Sequence, residues 1–177
     1  MIAPTDLQSE RLLFSPPRED DVREILDRYA ADPDVTRYVG FPRHETLDDT
    51  RAFLQFSDEQ WNSAGVGPYL IRERTTGKLL GSTGVHLLSP TEAMTGYILA
   101  KDSWGLGYAT EALKRMVVLA RELELEQLIA LCHPDHVASW KVLEKCGFTR
   151  LPTGEMYAFP NLPGSAPIEA FKYGTAL

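Results

Sequence analysis

Cysteine is scarce in this chain. The two that occur, Cys132 and Cys146, make no disulfide framework and lack the CxxC or Cys/His spacing of a structural zinc site. No metal is therefore expected, and a reducing, cytoplasmic setting is. Long hydrophobic runs are missing too: a stretch such as Met116-Val117-Val118-Leu119-Ala120 falls far short of the ~18 residues that span a bilayer, so no membrane association is expected. Asp6 and Glu10 argue against a secretory leader. Positive charge is not in excess, because 18 Lys plus Arg stand against 25 Asp plus Glu and leave a net charge of -7. That balance opposes attraction to nucleic acid and gives a mild steering preference for a cationic partner. Internal repeats and low-complexity segments are also lacking. What remains is ordinary globular composition: 177 residues, 44% hydrophobic and 24% charged, the size of one domain (1–177) with a substantial core.

Arg11-Leu12-Leu13-Phe14 reads as a first strand stopped by Pro16-Pro17. Val22, Ile25, Leu26 and Tyr29 then fall on one helical face, which predicts a helix from about Arg18 to Ala31. Asp32-Pro33-Asp34 breaks it, and Thr46-Leu47-Asp48-Asp49 opens a second amphipathic helix reaching about Ser63. From Tyr69 the pattern alternates. A strand to Arg74, a Thr75-Thr76-Gly77-Lys78 turn, a return strand from Leu79 to Leu88 and a further strand over Thr95 to Ala100 form a largely antiparallel meander. A third helix carries the apolar stripe Leu113, Met116, Val117 and Ala120, and Leu128 to Cys132 reads as a buried strand, which makes that helix a crossover. A fourth helix spans Val137 to Lys145, with Asp135 as its cap and Gly147 as its stop, and a strand over Ile168 to Tyr173 follows a proline-rich loop.

The chemistry-bearing stretch is Trp104-Gly105-Leu106-Gly107-Tyr108-Ala109-Thr110, where a glycine turn feeds the third helix. Glycines let the backbone approach a ligand, and the first amides of a helix have no partner inside it and carry the positive end of its dipole. Such a turn can hold a pyrophosphate without any lysine, with the Thr110 hydroxyl as one more donor. It can equally do no more than shape a strand-to-helix connection. A dinucleotide fingerprint is disfavoured, because it wants a third small residue at the right offset after an early strand, with an acidic residue ~20 positions on, whereas this turn comes two-thirds along the chain, after a meander. Gly77-Lys78 is no phosphate loop, since Leu79 stands where Ser or Thr is required.

Two blocks taken together are more specific. Trp104-Gly-Leu-Gly107-Tyr-Ala109-Thr110-Glu111-Ala112 and Pro134-Asp135-His-Val-Ala138-Ser139-Trp-Lys-Val-Leu143-Glu144-Lys145-Cys-Gly147-Phe148 resemble the GNAT superfamily of N-acyltransferases, in the branch of the RimJ- and RimL-like ribosomal-protein N-terminal acetyltransferases. The resemblance runs from Glu10-Arg11-Leu12 through Asp32-Pro33-Asp34-Val35 to the closing strand. It implies an α/β (α+β) fold with a mixed, mostly antiparallel sheet of six or seven strands, about four helices and a splayed central strand pair. It also implies acetyl-CoA as co-substrate and direct transfer of the acetyl group to a primary amine, on a small molecule or a peptide N-terminus, by a monomer or homodimer. A non-catalytic acyl-CoA sensor or a structural relative is the alternative.

By that resemblance Leu106, Gly107, Ala109 and Thr110 cradle the pyrophosphate, shaped by Trp104, Gly105 and Tyr108, while Ile98, Leu99 and Ala100 pair with the pantetheine arm. An amide near Leu99 would stabilise the oxyanion of the tetrahedral intermediate, worth ~3 kcal/mol for one well-placed donor. The superfamily often places a Tyr acid four residues before Gly-Phe, where this chain has Leu143, so Ser139 becomes the candidate to hydrogen-bond the leaving sulfur. His136 stands where the branch has Asn, which puts the usual pantetheine contact there in question, although an imidazole can replace it. The acceptor must be a neutral amine, because an ammonium has no lone pair, and His86 is a candidate relay for its proton. Glu92 is a further acidic candidate, Lys114 and Arg115 are candidates for the 3′-phosphate, and Tyr38, Phe41, Trp61 and Tyr69 are candidates for the acceptor pocket.

Overall fold

A computed structural model describes residues 2–164 and 166–177, so Ser165 of the proline-rich loop lies outside the described residues. Its strands are β1 (Leu7–Gln8), β2 (Leu12–Ser15), β3 (Pro68–Glu73), β4 (Leu79–Leu87), β5 (Glu92–Leu99), β6 (Gln127–Cys132), β7 (Thr149–Arg150), β8 (Glu155–Tyr157) and β9 (Ile168–Ala176). They stand in the order β1-β2-β3-β4-β5-β6-β9-β7, with β8 also paired to β9. Among the described residues that is nine strands rather than six or seven. The extra ones, β1, β7 and β8, are two or three residues long, too short for an alternation to register. Every pairing is antiparallel except that of β5 with β6.

The helical segment after β2 passes from a 3-10 turn (Glu19–Asp21) through α1 (Val22–Ile25) into a π turn (Leu26–Ala30). The widened turn is closed by the Ala31 amide on the Leu26 carbonyl. Helix α2 (Leu47–Ala64) begins on a capping box, in which Thr46 Oγ1 accepts from the Asp49 amide and Asp49 accepts from the Thr46 amide. Helices α3 (Tyr108–Glu122) and α4 (Val137–Lys145) complete the set. The cap of α4 is His136, not Asp135, and it makes no side-chain capping bond. Asp135 is held one residue early because its amide donates to the buried His133 Nδ1.

Strand alternation sends the sheet's two faces to different helices. Tyr69, Ile71 and Leu80 join Leu113, Met116 and Phe148 in the core under α3 and α4, whereas Leu70, Leu79 and Ile98 join Val22, Ile25 and Leu54 under α1 and α2. The sheet is thus sandwiched between two helical layers. Its functional feature is in the middle. The parallel pair β5/β6 is registered only at Glu92↔Gln127, Ala93↔Leu128 and Met94↔Ile129, after which the strands part. Beyond that point β5 stays on β4 up to Leu99 and β6 stays on β9 up to Cys132. A gap therefore opens through the centre of the sheet. No helix among the described residues is long and apolar enough to cross a membrane, and no cluster of metal-ligating side chains occurs among them.

Candidate active site

The gap in the sheet leads to the glycine turn through the short 3-10 segment Lys101–Ser103. Two braces fix that turn. From below, the Arg28 guanidinium forks onto both oxygens of Asp102 at 2.8 and 3.0 Å, and Lys78 adds a third contact at 2.8 Å. These bonds, Arg28 first, hold the Asp102 carboxyl well below its ordinary pKa. From above, Arg11, just before β2, bonds Glu111 Oε2 through Nε at 2.7 Å and the Leu106 carbonyl through Nη1 at 2.9 Å, and lies 4.5 Å over the Tyr108 ring. Burial pushes Glu111 upward, but bonds from Ser9 and Arg11 outweigh it and keep the group ionised. The Trp104 indole is tied to the Leu99 carbonyl at 2.8 Å.

Gly105 and Gly107 both adopt left-handed backbone, with φ of 74° and 81°. Only glycine takes that conformation without strain. A Cβ on Gly105 would meet nothing within 4 Å, and one on Gly107 would meet only the Arg11 guanidinium at 3.4 Å, so the cradle is open to solvent. The first helical bond is from the Glu111 amide to the Gly107 carbonyl, and the amides of Leu106, Gly107, Tyr108, Ala109 and Thr110 have no hydrogen-bond acceptor among the described residues. Five unpaired donors at the positive end of a 15-residue helix make an anion site. Beside them Trp104 and Leu106 are 47% and 55% exposed, an apolar edge on a polar cradle. This donor set fits the diphosphate and apolar arm of coenzyme A. The Tyr108 hydroxyl donates to Glu73 at 2.6 Å, so Tyr108 shapes the turn from inside.

Hydrogen-bond parity decides which β5 groups face the gap. The Ala100 amide donates to Leu80, and Leu88 donates to Glu92, so even-numbered β5 residues bond β4 and odd-numbered ones point toward β6. Ile98 and Ala100 thus have their backbone groups turned to β4. Of the three residues assigned to this strand from the sequence, only Leu99 has its amide aimed at the opening, and Tyr97, which was not singled out, shares that direction.

The gap is the floor of a cavity of about 710 Å³. Its lining includes Ser139 and Leu143 of α4 and Phe53 and Gln60 of α2, so the cavity passes through the sheet from one helical layer to the other. Ser139 faces β5 across the cavity, where the Tyr97 hydroxyl donates to its carbonyl at 2.8 Å and lies 3.1 Å from its Oγ. Burial raises the Tyr97 phenol, which stays protonated. Leu143 is 1% exposed and presents only carbon. His86 faces the cavity from β4, its Nδ1 2.8 Å from Gln60 Oε1. A carboxamide oxygen only accepts, so this contact is made by an Nδ1–H, the tautomer in which a neutral ring has its lone pair on Nε2. His136 lines the cavity, stacked on Tyr38 at 4.9 Å, and its pKa is lowered to about 4 by burial and, second, by His133.

Other candidates fall elsewhere. Trp61 and Tyr69 pack edge to face at 5.1 Å, outside the cavity lining, and Tyr69 is fully buried. Arg115 turns back to Glu122 at 3.3 Å, Lys114 is exposed on α3, and Glu92 opens β5 without reaching the cavity. Residues that sequence reasoning passed over are Tyr97, Gln60 and Arg11. The first two directly adjoin residues that were singled out, Ile98 and Trp61, but belong to no motif, and only the third lay inside a quoted motif.

The chain is similar to known proteins in sequence and in fold. Residues 11–149 match the family described as an acetyltransferase (GNAT) domain. The uncharacterized N-acetyltransferase YoaA of Bacillus subtilis (strain 168) is 27% identical over 159 residues, 88% of this chain and 89% of that protein. An uncharacterized N-acetyltransferase p20 of Bacillus licheniformis is 24% identical over 147 residues, 81% of this chain and 82% of its own length. Among solved structures, the microcin C7 self-immunity acetyltransferase MccE in complex with acetyl-CoA and AMP shares the fold with a TM-score of 0.85 at 15% identity, over 99% of this chain and 98% of that one. The ribosomal L7/L12 α-N-protein acetyltransferase RimL in complex with coenzyme A has a TM-score of 0.82 at 18% identity, covering 100% and 98%.

Proposed function

The chain belongs to the GNAT acetyltransferase family, and from that premise we propose that it moves the acetyl group of acetyl-CoA directly to a primary amine held in the cavity that crosses the sheet. One observation carries the reading: five unpaired amides, Leu106 to Thr110, lie at the mouth of a gap whose wall is the unpaired edge of β5. Acetyl-CoA supplies the activated thioester. The chain supplies position and charge stabilisation.

The Leu106–Thr110 amides bind the diphosphate, with Trp104 and Leu106 offering apolar contact beside it. The Leu99 amide, turned toward the gap, is the donor that polarises the carbonyl and stabilises its developing negative charge. Ser139 Oγ hydrogen-bonds the departing sulfur. Tyr97 acts through Ser139, fixing its backbone and hydroxyl, and so serves the position that Leu143 cannot fill. His86 Nε2 takes the proton that the amine sheds, because Gln60 holds the tautomer with its lone pair on that nitrogen. His136 is neutral at pH 7 and contributes a hydrogen bond and a stacking surface rather than a charge.

Thiol release from acetyl-CoA, measured against a panel of primary amines, tests this directly. Amine-dependent release and an N-acetylated product are expected. Tight acetyl-CoA binding with no amine-dependent release across the panel would instead favour a non-catalytic sensor.

A further inference from the structure

The acceptor half of the cavity is walled by rings rather than by charges. On one side His44 lies 5.8 Å from Phe41 and 6.4 Å from Phe53; on the other Tyr38 stacks on His136 at 4.9 Å with an interplanar angle of 28°. Phe41 and Phe56, both in the lining, are 38% and 46% exposed. Single exposed apolar residues are common on any surface, but two bare phenyl rings facing one cavity form a recognition surface.

The ring-bearing loop is held in place before any ligand arrives. Asn161 Nδ2 donates to the carbonyls of Thr36 and Phe41 at 2.8 and 2.9 Å, and its Oδ1 accepts from the Arg43 amide at 2.8 Å. Tyr157 packs so closely on Gly40 that any Cβ there would collide with its ring. Pre-ordering of this kind lowers the entropic cost of binding.

Charge points the same way. Among the described residues Asp49 is the one carboxylate in the cavity lining, and its Oδ2 accepts from the amides of Glu45 and Thr46 and from Thr46 Oγ1 at 2.8 to 2.9 Å as part of the α2 cap. Arg43 lies in the lining, and Arg37 stands 5.2 Å over the Tyr38 ring. Burial keeps the imidazoles of His44 and His136 neutral. The lining thus offers a polycation one carboxylate, engaged at Oδ2 in the helix cap and sharing the lining with the Arg43 guanidinium, and no cluster of carboxylates to match several ammonium groups. The volume, about 710 Å³, is in the range of small-molecule pockets.

Resting on the acetyltransferase reading, we propose that the acceptor is a small primary amine whose body is an aromatic or heteroaromatic ring and which carries no second cationic centre. This sets the local lining against the overall charge of -7, which on its own favours a cation. The lining decides, because it touches the substrate, whereas net charge acts only on the approach.

Three measurements on the intact protein test it. With saturating acetyl-CoA, kcat/KM for tryptamine and 2-phenylethylamine is expected to exceed that for spermidine, kanamycin and a serine-initiated peptide about tenfold or more. Phe41→Ala and Phe56→Ala, at exposed positions where folding is not at stake, should raise KM for tryptamine several-fold. Calorimetry should show acetyl-CoA affinity unchanged in both variants. Faster turnover of spermidine, kanamycin or the peptide, no turnover of the aromatic amines, or an unaltered tryptamine KM in both variants would each overturn the acceptor class. If acetyl-CoA is bound in those cases, donor binding survives while the acceptor class falls. If wild type does not bind acetyl-CoA, the transfer reading fails and takes this inference with it.

Discussion

The two halves of the proposed site are built from different materials. The donor half is backbone: amides at the start of α3 and the unpaired edge of β5, set by two glycines and a parting of strands. The acceptor half is side chains: rings and imidazoles carried on α2, β4, α4 and the loops around Tyr38 and Tyr157. Backbone donors are the same whatever residue bears them, so the proposed donor half depends on chain geometry and the proposed acceptor half on residue identity.

The sharpest way to break the comparison is to obstruct the backbone half alone. Gly107→Trp places a bulky side chain on left-handed backbone in the cradle, and calorimetry should show acetyl-CoA affinity falling more than a hundredfold while far-UV circular dichroism stays native. Retained affinity would mean that the carrier binds elsewhere. A smaller effect belongs to the junction of the halves. Ser139→Ala should lower kcat roughly tenfold to a hundredfold with acetyl-CoA affinity unchanged. Tyr97→Phe should give a weaker version of the same split, since the phenol acts only by positioning Ser139. An unaltered kcat in both would remove Ser139 from the proton path.

The smallest effect concerns the side-chain half and reads stability. His136 has its pKa depressed from 6.5 to about 4 in the folded protein, so its contribution is fully present above pH 6.5 and is lost as pH falls toward 4, where only the unfolded chain takes up the proton. Denaturant titrations should show His136→Asn losing about 1 kcal/mol less stability than wild type across that interval, the full shift being discounted for solvent contact. Parallel pH profiles for the two proteins would contradict the burial of a neutral imidazole.

The same division explains what was legible in the sequence. The glycine turn could be read because left-handed backbone demands glycine and a helix start follows at once, and the α2 and α4 spans emerged from their periodicity almost to the residue. The crossover strand β6 was visible as a continuous apolar run. The meander's strands were found, yet the hydrogen-bond parity that turns the Leu99 amide into the gap and the Ile98 amide away from it depends on register, which no local pattern encodes. Tyr97 escaped notice because its partner, Ser139, is 42 residues distant in sequence. The acceptor rings were half visible: Tyr38 and Phe41 line the cavity, but Trp61 and Tyr69, equally aromatic, are core. Composition cannot tell a ring that faces a cavity from one that fills a core. The cap of α4 moved by one residue for a similarly non-local reason, the buried His133 that captures the Asp135 amide.

The most direct test of the central claim follows the peptide amides themselves. In a ¹⁵N–¹H correlation spectrum titrated with coenzyme A, the resonances of Leu106, Gly107, Tyr108, Ala109 and Thr110 should move downfield more than any others, and pantetheine, which lacks the diphosphate, should leave them in place. If coenzyme A binds and those five signals do not move, or if pantetheine shifts them equally, the amides of this turn do not hold the diphosphate and the account built on them is wrong.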